Sequence, residues 1–183
     1  MKATGIVRRI DDLGRIVIPK EIRRTLRLRD GDPLEIFTDR QGEVILKKYS
    51  PIEDLSELAE EYAESAGQVL GSSAVVTDTD HVIAVSGGAA KHLKDRPISG
   101  ELGELIRARS SCIVQDRSKV YQIAMEDHHV SQYGSQIIVP ILAQGDPVGS
   151  VIFVNNEKDD AFSEKELKAA EVGAALLGRQ LEI

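Results

Sequence analysis

Arg8, Arg9, Arg15, Lys20, Arg23, Arg24 and Arg27 crowd the start of the chain. Projected at about 3.6 residues per turn, Lys20, Arg23, Arg24 and Arg27 share one helical face, and Ile22 and Leu26 share another. The planar arginine fork can take phosphate oxygens or base edges two at a time. Such a surface suits nucleic acid. The competing reading is a solvated cationic face that contacts nothing, with Asp11, Asp12 and Glu21 diluting its field.

Other chemistry is poorly supplied. No Ser/His/Asp, Cys/His or paired-carboxylate arrangement stands out, and no phosphate-loop motif is present, so neither catalysis nor a cofactor is expected. Cys112 has no second cysteine to pair with. It reads as a small apolar residue before it reads as a redox sensor. His128 and His129 are adjacent while His81 and His92 are isolated, and no spacing resembles a metal site. Ser86-Gly87-Gly88 follows a strand and reads first as a turn, with close ligand approach as the alternative.

The elements that must position these residues divide by charge. The chain has 183 residues and a net charge of −7. Residues 1–50 hold twelve Lys and Arg against eight Asp and Glu, a net +4, which leaves −11 for residues 51–183. A basic module joined to an acidic body suits a phosphate ligand on the first part and keeps the second away from it. No apolar run approaches the roughly eighteen residues of a membrane span. The first residues lack a signal-peptide core, so a cytoplasmic protein is expected, without membrane partners.

In the basic part, Gly5–Ile10 and Arg15–Ile18 read as strands around the turn Asp11-Asp12-Leu13-Gly14. Pro19 introduces the short helix. Leu34–Thr38 and Glu43–Lys48 form a hairpin around Asp39-Arg40-Gln41-Gly42. About fifty residues bury little apolar surface and leave strand edges open, so an obligate dimer is expected.

Tyr49-Ser50-Pro51 reads as a linker. Beyond it, Ile52, Leu55, Ala59, Tyr62, Ala66 and Val69 recur at alternating spacings of three and four, a heptad stripe. The middle predicts strands at Ala74–Thr77, Val82–Ser86, Ser111–Val114 and Val120–Ala124, and a helix over Gly100–Arg109. Ile137–Leu142 and Val148–Val154 are strands joined by a Gly-Asp-Pro turn. Ser163 and Glu166 form a capping box, with Phe162 and Leu167 as its hydrophobic staple. A second stripe follows at Leu167, Ala170, Ala174, Leu177 and Leu181. Helices bracketing antiparallel strands predict an α+β sensor-like domain over residues 54–183, after a DNA-binding domain over 1–53. The two stripes suggest a bundle with other copies, hence a tetramer built as a dimer of dimers.

The run Thr4-Gly5-Ile6-Val7-Arg8-Arg9-Ile10-Asp11-Asp12-Leu13-Gly14-Arg15-Ile16-Val17-Ile18-Pro19-Lys20-Glu21-Ile22-Arg23-Arg24-Thr25-Leu26, continuing through Leu34-Glu35-Ile36 to Ile45-Leu46-Lys47-Lys48-Tyr49, resembles the AbrB family of bacterial transition-state regulators. The resemblance implies a swapped-hairpin β-barrel dimer. It implies double-stranded DNA as partner, contacted mainly by Arg8, Arg15, Arg23 and Arg24, with Arg9 and Lys20 secondary. The whole chain, through its Gly145-Asp146-Pro147-Val148-Gly149 turn, resembles sporulation regulators of spore-forming Firmicutes that join such a head to a GAF-like domain. That implies an activator or repressor of late sporulation genes in the forespore, associated with the nucleoid. A GAF-like domain would hold a small-molecule ligand of unknown identity, serve oligomerisation, or be purely structural. AbrB-like heads also occur in antitoxins, where a short weakly patterned tail binds a toxin.

Overall fold

A computed structural model of the chain describes residues 5–156 and 161–181. Thr4, which opens the quoted motif, lies outside them. The chain forms two compact units, Met1–Tyr49 and Ser50–Ile183.

The first unit holds helix α1 (Lys20–Thr25) and the antiparallel pair β1 (Leu34–Thr38) and β2 (Val44–Lys48), with Ile36 opposite Leu46. The hairpin loop closes as its residues dictate. Asp39 Oδ1 accepts the N–H groups of Gln41 and Glu43, each at 2.9 Å, and Gly42 takes a positive φ of 83°. The expected strands at Gly5–Ile10 and Arg15–Ile18 form no ladder within one chain, which corrects that expectation. Their apolar residues stand largely exposed. Val7 is 85 % exposed and Val17 is 73 % exposed. Among the described residues of this unit none is buried. Ile18, Ile22, Leu26, Leu34, Val44 and Leu46 line an apolar cleft of about 410 Å³.

The second unit is a five-stranded sheet in the order β4-β3-β7-β6-β5, every pair antiparallel. The strands are β3 (Ser73–Asp78), β4 (Val82–Ser86), β5 (Cys112–Val114), β6 (Tyr133–Ala143) and β7 (Asp146–Asn156). Helices α2 (Pro51–Asp54), α3 (Ser56–Leu70) and α5 (Glu164–Gln180), and α4 (Gly100–Arg107), complete it. Strand side chains alternate between faces. Ala74, Val76, Ile137, Val139, Val151 and Phe153 therefore join the core beneath α3 and α5. Val75, Ile138, Ile152 and Val154 join a second core with Leu102 and Ile106 of α4. A sheet covered on both faces explains why β3 is buried along its whole length.

The heptad stripes are spent inside this unit. Ala59, Ala63 and Gly67 of α3, and Ala170, Gly173, Ala174, Leu177 and Gly178 of α5, are buried. Small residues let the helices lie close: a Cβ at Gly178 would overlap the Leu142 carbonyl, and one at Gly173 would overlap the Tyr62 ring. The first stripe is corrected in detail. Leu55 breaks the helix between α2 and α3, and Val69 is 83 % exposed. The apolar residues face a sheet, which needs a broader stripe than a coiled-coil seam. The capping box is formed: Glu166 Oε2 accepts the Ser163 N–H at 2.8 Å and Ser163 Oγ accepts the Lys165 N–H at 3.3 Å.

Val120–Ala124 is not a strand; Ala124 makes only an isolated bridge to Ile98. The buried amide of Gln136 does the pairing instead. It accepts the Tyr121 N–H at 2.9 Å and donates to the Tyr121 carbonyl at 3.0 Å. One side chain thus replaces a rung of backbone ladder.

Candidate nucleic-acid interface

Arg8 and Arg15 stand on the two arms of one loop. The Asp11 N–H donates to the Arg15 carbonyl at 3.0 Å, and the Gly14 N–H donates to the Asp11 carbonyl at 3.0 Å. Asp11 Oδ1 accepts the N–H groups of Leu13 at 3.0 Å and Arg15 at 2.7 Å. Gly14 takes a φ of 75°, a conformation open mainly to glycine. The Arg15 Nε donates to Asp11 Oδ2 at 2.8 Å. The Arg15 N–H beside it, and then its guanidinium, hold the Asp11 carboxyl below the usual carboxylate range. Arg8 is exposed and, among the described residues, its side chain donates to its neighbour's carbonyl, Val7 O, at 3.2 Å.

Arg23 and Arg24 lie in the last turn of α1, about 100° apart around its axis. Arg23 is turned toward the following loop, where it meets Asp30 Oδ1 at 2.5 Å, and its Nε is buried without a partner. Arg24 is exposed, and among the described residues no side-chain partner holds it. The four arginines therefore fall into two classes. Arg8 and Arg24 are free to meet an anion, while Arg15 and Arg23 are each steadied by an aspartate. Arg9 and Lys20 are exposed neighbours.

The second unit places other candidates. Gly87 has a φ of 87° and packs against Ser73, whose Oγ accepts the Ala89 N–H at 3.1 Å. This is a turn built from close packing. Burial pushes the Cys112 thiol up, which works against thiolate chemistry. Histidine spacing along the chain gives no metal site, yet folding brings His92, Asp127 and His129 together, their ligand atoms within 4.8 Å of one another. The sequence signal was only half visible. Asp127 and His129 are two positions apart, but His92 arrives from thirty-five residues away.

The family described as "Stage V sporulation protein T C-terminal, transcription factor" matches residues 54–182. The family described as "Antidote-toxin recognition MazE, bacterial antitoxin" matches residues 7–54. Stage V sporulation protein T of Bacillus subtilis (strain 168) is 51 % identical over 182 residues, covering 100 % of this chain and 99 % of that protein. Transition state regulatory protein AbrB of the same organism is 59 % identical over 51 residues, 28 % of this chain and 52 % of that protein. Among solved structures, the second GAF domain of DevS from Mycobacterium smegmatis superposes with a TM-score of 0.55 at 14 % identity, covering 69 % of this chain and 92 % of that one. At such identity the likeness is one of fold: the second unit is GAF-like.

Proposed function

We propose, because this chain belongs to the stage V sporulation protein T family of transcription factors, that it is a sequence-selective, double-stranded-DNA-binding regulator and not an enzyme. Residues 1–53 are the DNA-binding head, and Arg8, Arg15, Arg23 and Arg24 are its main contacts. Residues 54–183 serve oligomerisation and the sensing of a small molecule. The relative's name supports a role in sporulation; on this reading the targets are late sporulation genes, read in the cytoplasm of the forespore. The observation that carries the DNA reading is the placement of exposed Arg8 and Arg24 on a net-positive unit joined to a net-negative one.

The head acts as a dimer. Its unburied apolar residues and its apolar cleft fit a second copy whose hairpins interleave with the first. A tetramer would then be held by the second units through apolar residues left outside, such as Val69 and Val172, since most of the two stripes is already covered. The antitoxin reading is disfavoured because residues that would form a pliant tail instead build a sheet covered on both faces.

Eight arginines in a dimer would lose about 10⁴-fold in affinity between about 50 and 200 mM salt. Fluorescence anisotropy of the full chain on a promoter fragment, run across that range, tests this. A flat salt dependence would remove the arginines from the interface.

A further inference from the structure

We propose that His92, Asp127 and His129 form a binding site for one divalent transition-metal ion of the zinc class in the second unit.

The three residues come from separate places. His92 sits in a short 3-10 turn, Lys91–Leu93, anchored by buried Leu93. Asp127 and His129 lie in the loop that leads through Val130–Gln132 into β6. Asp127 is buried, and both its carboxylate oxygens are engaged. Oδ1 meets His92 Nε2 at 3.0 Å and accepts the His129 backbone N–H at 3.0 Å. Oδ2 accepts the Tyr133 hydroxyl at 2.7 Å. The two imidazoles lie with ring centroids 4.2 Å apart, tilted by 47°. His129 Nδ1 is buried with no hydrogen-bond partner.

An organising carboxylate alone would explain the bonds to Asp127. It does not explain two imidazoles gathered beside one buried carboxylate, one of them with a buried ring nitrogen left unsatisfied. A cation does. Ligand atoms on a tetrahedral zinc stand about 3.3 Å apart, the chord for bonds of about 2.0–2.1 Å. The His92–Asp127 pair is already near that distance, and all three ligand atoms lie within 4.8 Å. Two nitrogens and one oxygen favour zinc and its neighbours over magnesium or calcium. Tyr133 supplies the outer hydrogen bond that such sites use to fix a carboxylate. The site borders a pocket lined by Gly88, Ala89, Lys91 and Gln132. A fourth ligand would enter from there, and Lys91 favours an anionic one.

The test is titration of Zn²⁺ alone into tag-free, chelator-stripped full-length protein by calorimetry, with Co²⁺ as a visible-absorption probe of coordination. Saturable binding at one ion per chain is expected. His92→Ala and His129→Ala should each weaken it at least about tenfold, and Tyr133→Phe by about tenfold. His81→Ala and His128→Ala should leave it unchanged. Circular dichroism and cooperative urea unfolding establish that each variant is folded; if Asp127→Asn is not, the two histidine variants decide. No saturable binding at micromolar Zn²⁺, or binding lost with His81 or His128 and kept without His92 and His129, overturns the site.

Discussion

Arg15 and Asp11 hold each other twice: one carboxylate oxygen accepts the Arg15 N–H at 2.7 Å and the other meets its Nε at 2.8 Å. The acid beside a candidate DNA contact is therefore not mere dilution of positive charge. It builds the loop and aims the guanidinium, and a phosphate must compete with it for Arg15.

Because Asp11's pKa is lowered, first by the Arg15 N–H, its contribution is present above the ordinary value of 3.8 and is lost as pH falls through the lower folded value. The loop should stay closed through mildly acidic pH. Carboxyl-carbon NMR should give Asp11 a midpoint below 3.8; one at or above it would mean the pair does not persist in solution. Asp11→Asn, which keeps an acceptor and removes the charge, should raise DNA affinity by about two- to fivefold at low salt.

Arg23→Ala and Arg24→Ala should both weaken DNA binding, and each should flatten the salt slope by about two units, one for each of the two phosphates per dimer no longer neutralised. They differ in what else they disturb. Arg23 also holds Asp30, an exposed pair worth at most about 1 kcal/mol, whereas Arg24 has no such tether among the described residues. Unfolding curves should overlay wild type for Arg24→Ala and shift slightly for Arg23→Ala. Unchanged affinity in both variants would displace the interface from α1.

Sedimentation of the full chain at micromolar concentration should show at least a dimer. Residues 1–53 alone should remain dimeric and bind DNA more weakly. Val17→Asp should disrupt the head while leaving the second unit's unfolding transition intact, because the second unit has cores of its own. A stable monomer would contradict the interleaved head.

Gly178→Ala should destabilise more than Gly173→Ala. The added methyl meets the Leu142 backbone carbonyl in the first case and the movable Tyr62 side chain in the second. Overpacking of this kind typically costs about 1–3 kcal/mol. Urea unfolding of the two variants gives the order directly, and equal or negligible losses would mean α5 can slide on the sheet.

Burial pushes the Tyr62 phenol up to about 12 from its ordinary 10. The unfolded chain ionises first, so this residue's contribution to stability is intact below pH 10 and is lost between about pH 10 and pH 12. Its hydroxyl is buried without a partner. Tyr62→Phe should therefore leave stability unchanged or raise it by up to about 1 kcal/mol, and should flatten that alkaline decline. A marked loss on Tyr62→Phe would reveal a hydrogen bond to the hydroxyl.

Local chemistry was the most legible part of the sequence. Asp39 and Gly42 closed a hairpin, Ser163 and Glu166 capped a helix, and the apolar, β-branched runs Ile137–Leu142 and Val148–Val154 on either side of a Gly-Asp-Pro turn announced the central strands. What could not be read depended on partners distant in the chain. A stripe such as Ala59–Tyr62–Ala66 has the same spacing whether it meets another helix or a sheet, so the structure was needed to show it spent on β3 and β4. Gly5–Ile10 reads as a strand by composition, yet it joins no strand ladder among the described residues. Val120–Ala124 has the composition of a strand and is not one, because a side-chain amide can stand in for a rung, which no periodicity reports. Among the candidate interface residues, position on the helix or loop was foreseeable. That Arg15 and Arg23 are tethered while Arg8 and Arg24 are free was not, since it follows from where Asp11 and Asp30 come to rest.

The Gln136–Tyr121 pair acts as a hasp. It closes the segment between those residues at its root, with two hydrogen bonds that owe nothing to the residues in between. Inserting residues into a loop whose ends are already pinned costs little closure entropy. The exposed turn residues of that segment, such as Glu126 and His128, can accordingly be rewritten or extended without unpicking the sheet, whereas Ile123, Ala124 and Tyr133 belong to the second core. Variation in sequence and length has a place to happen at those turns, apart from the framework that must keep folding.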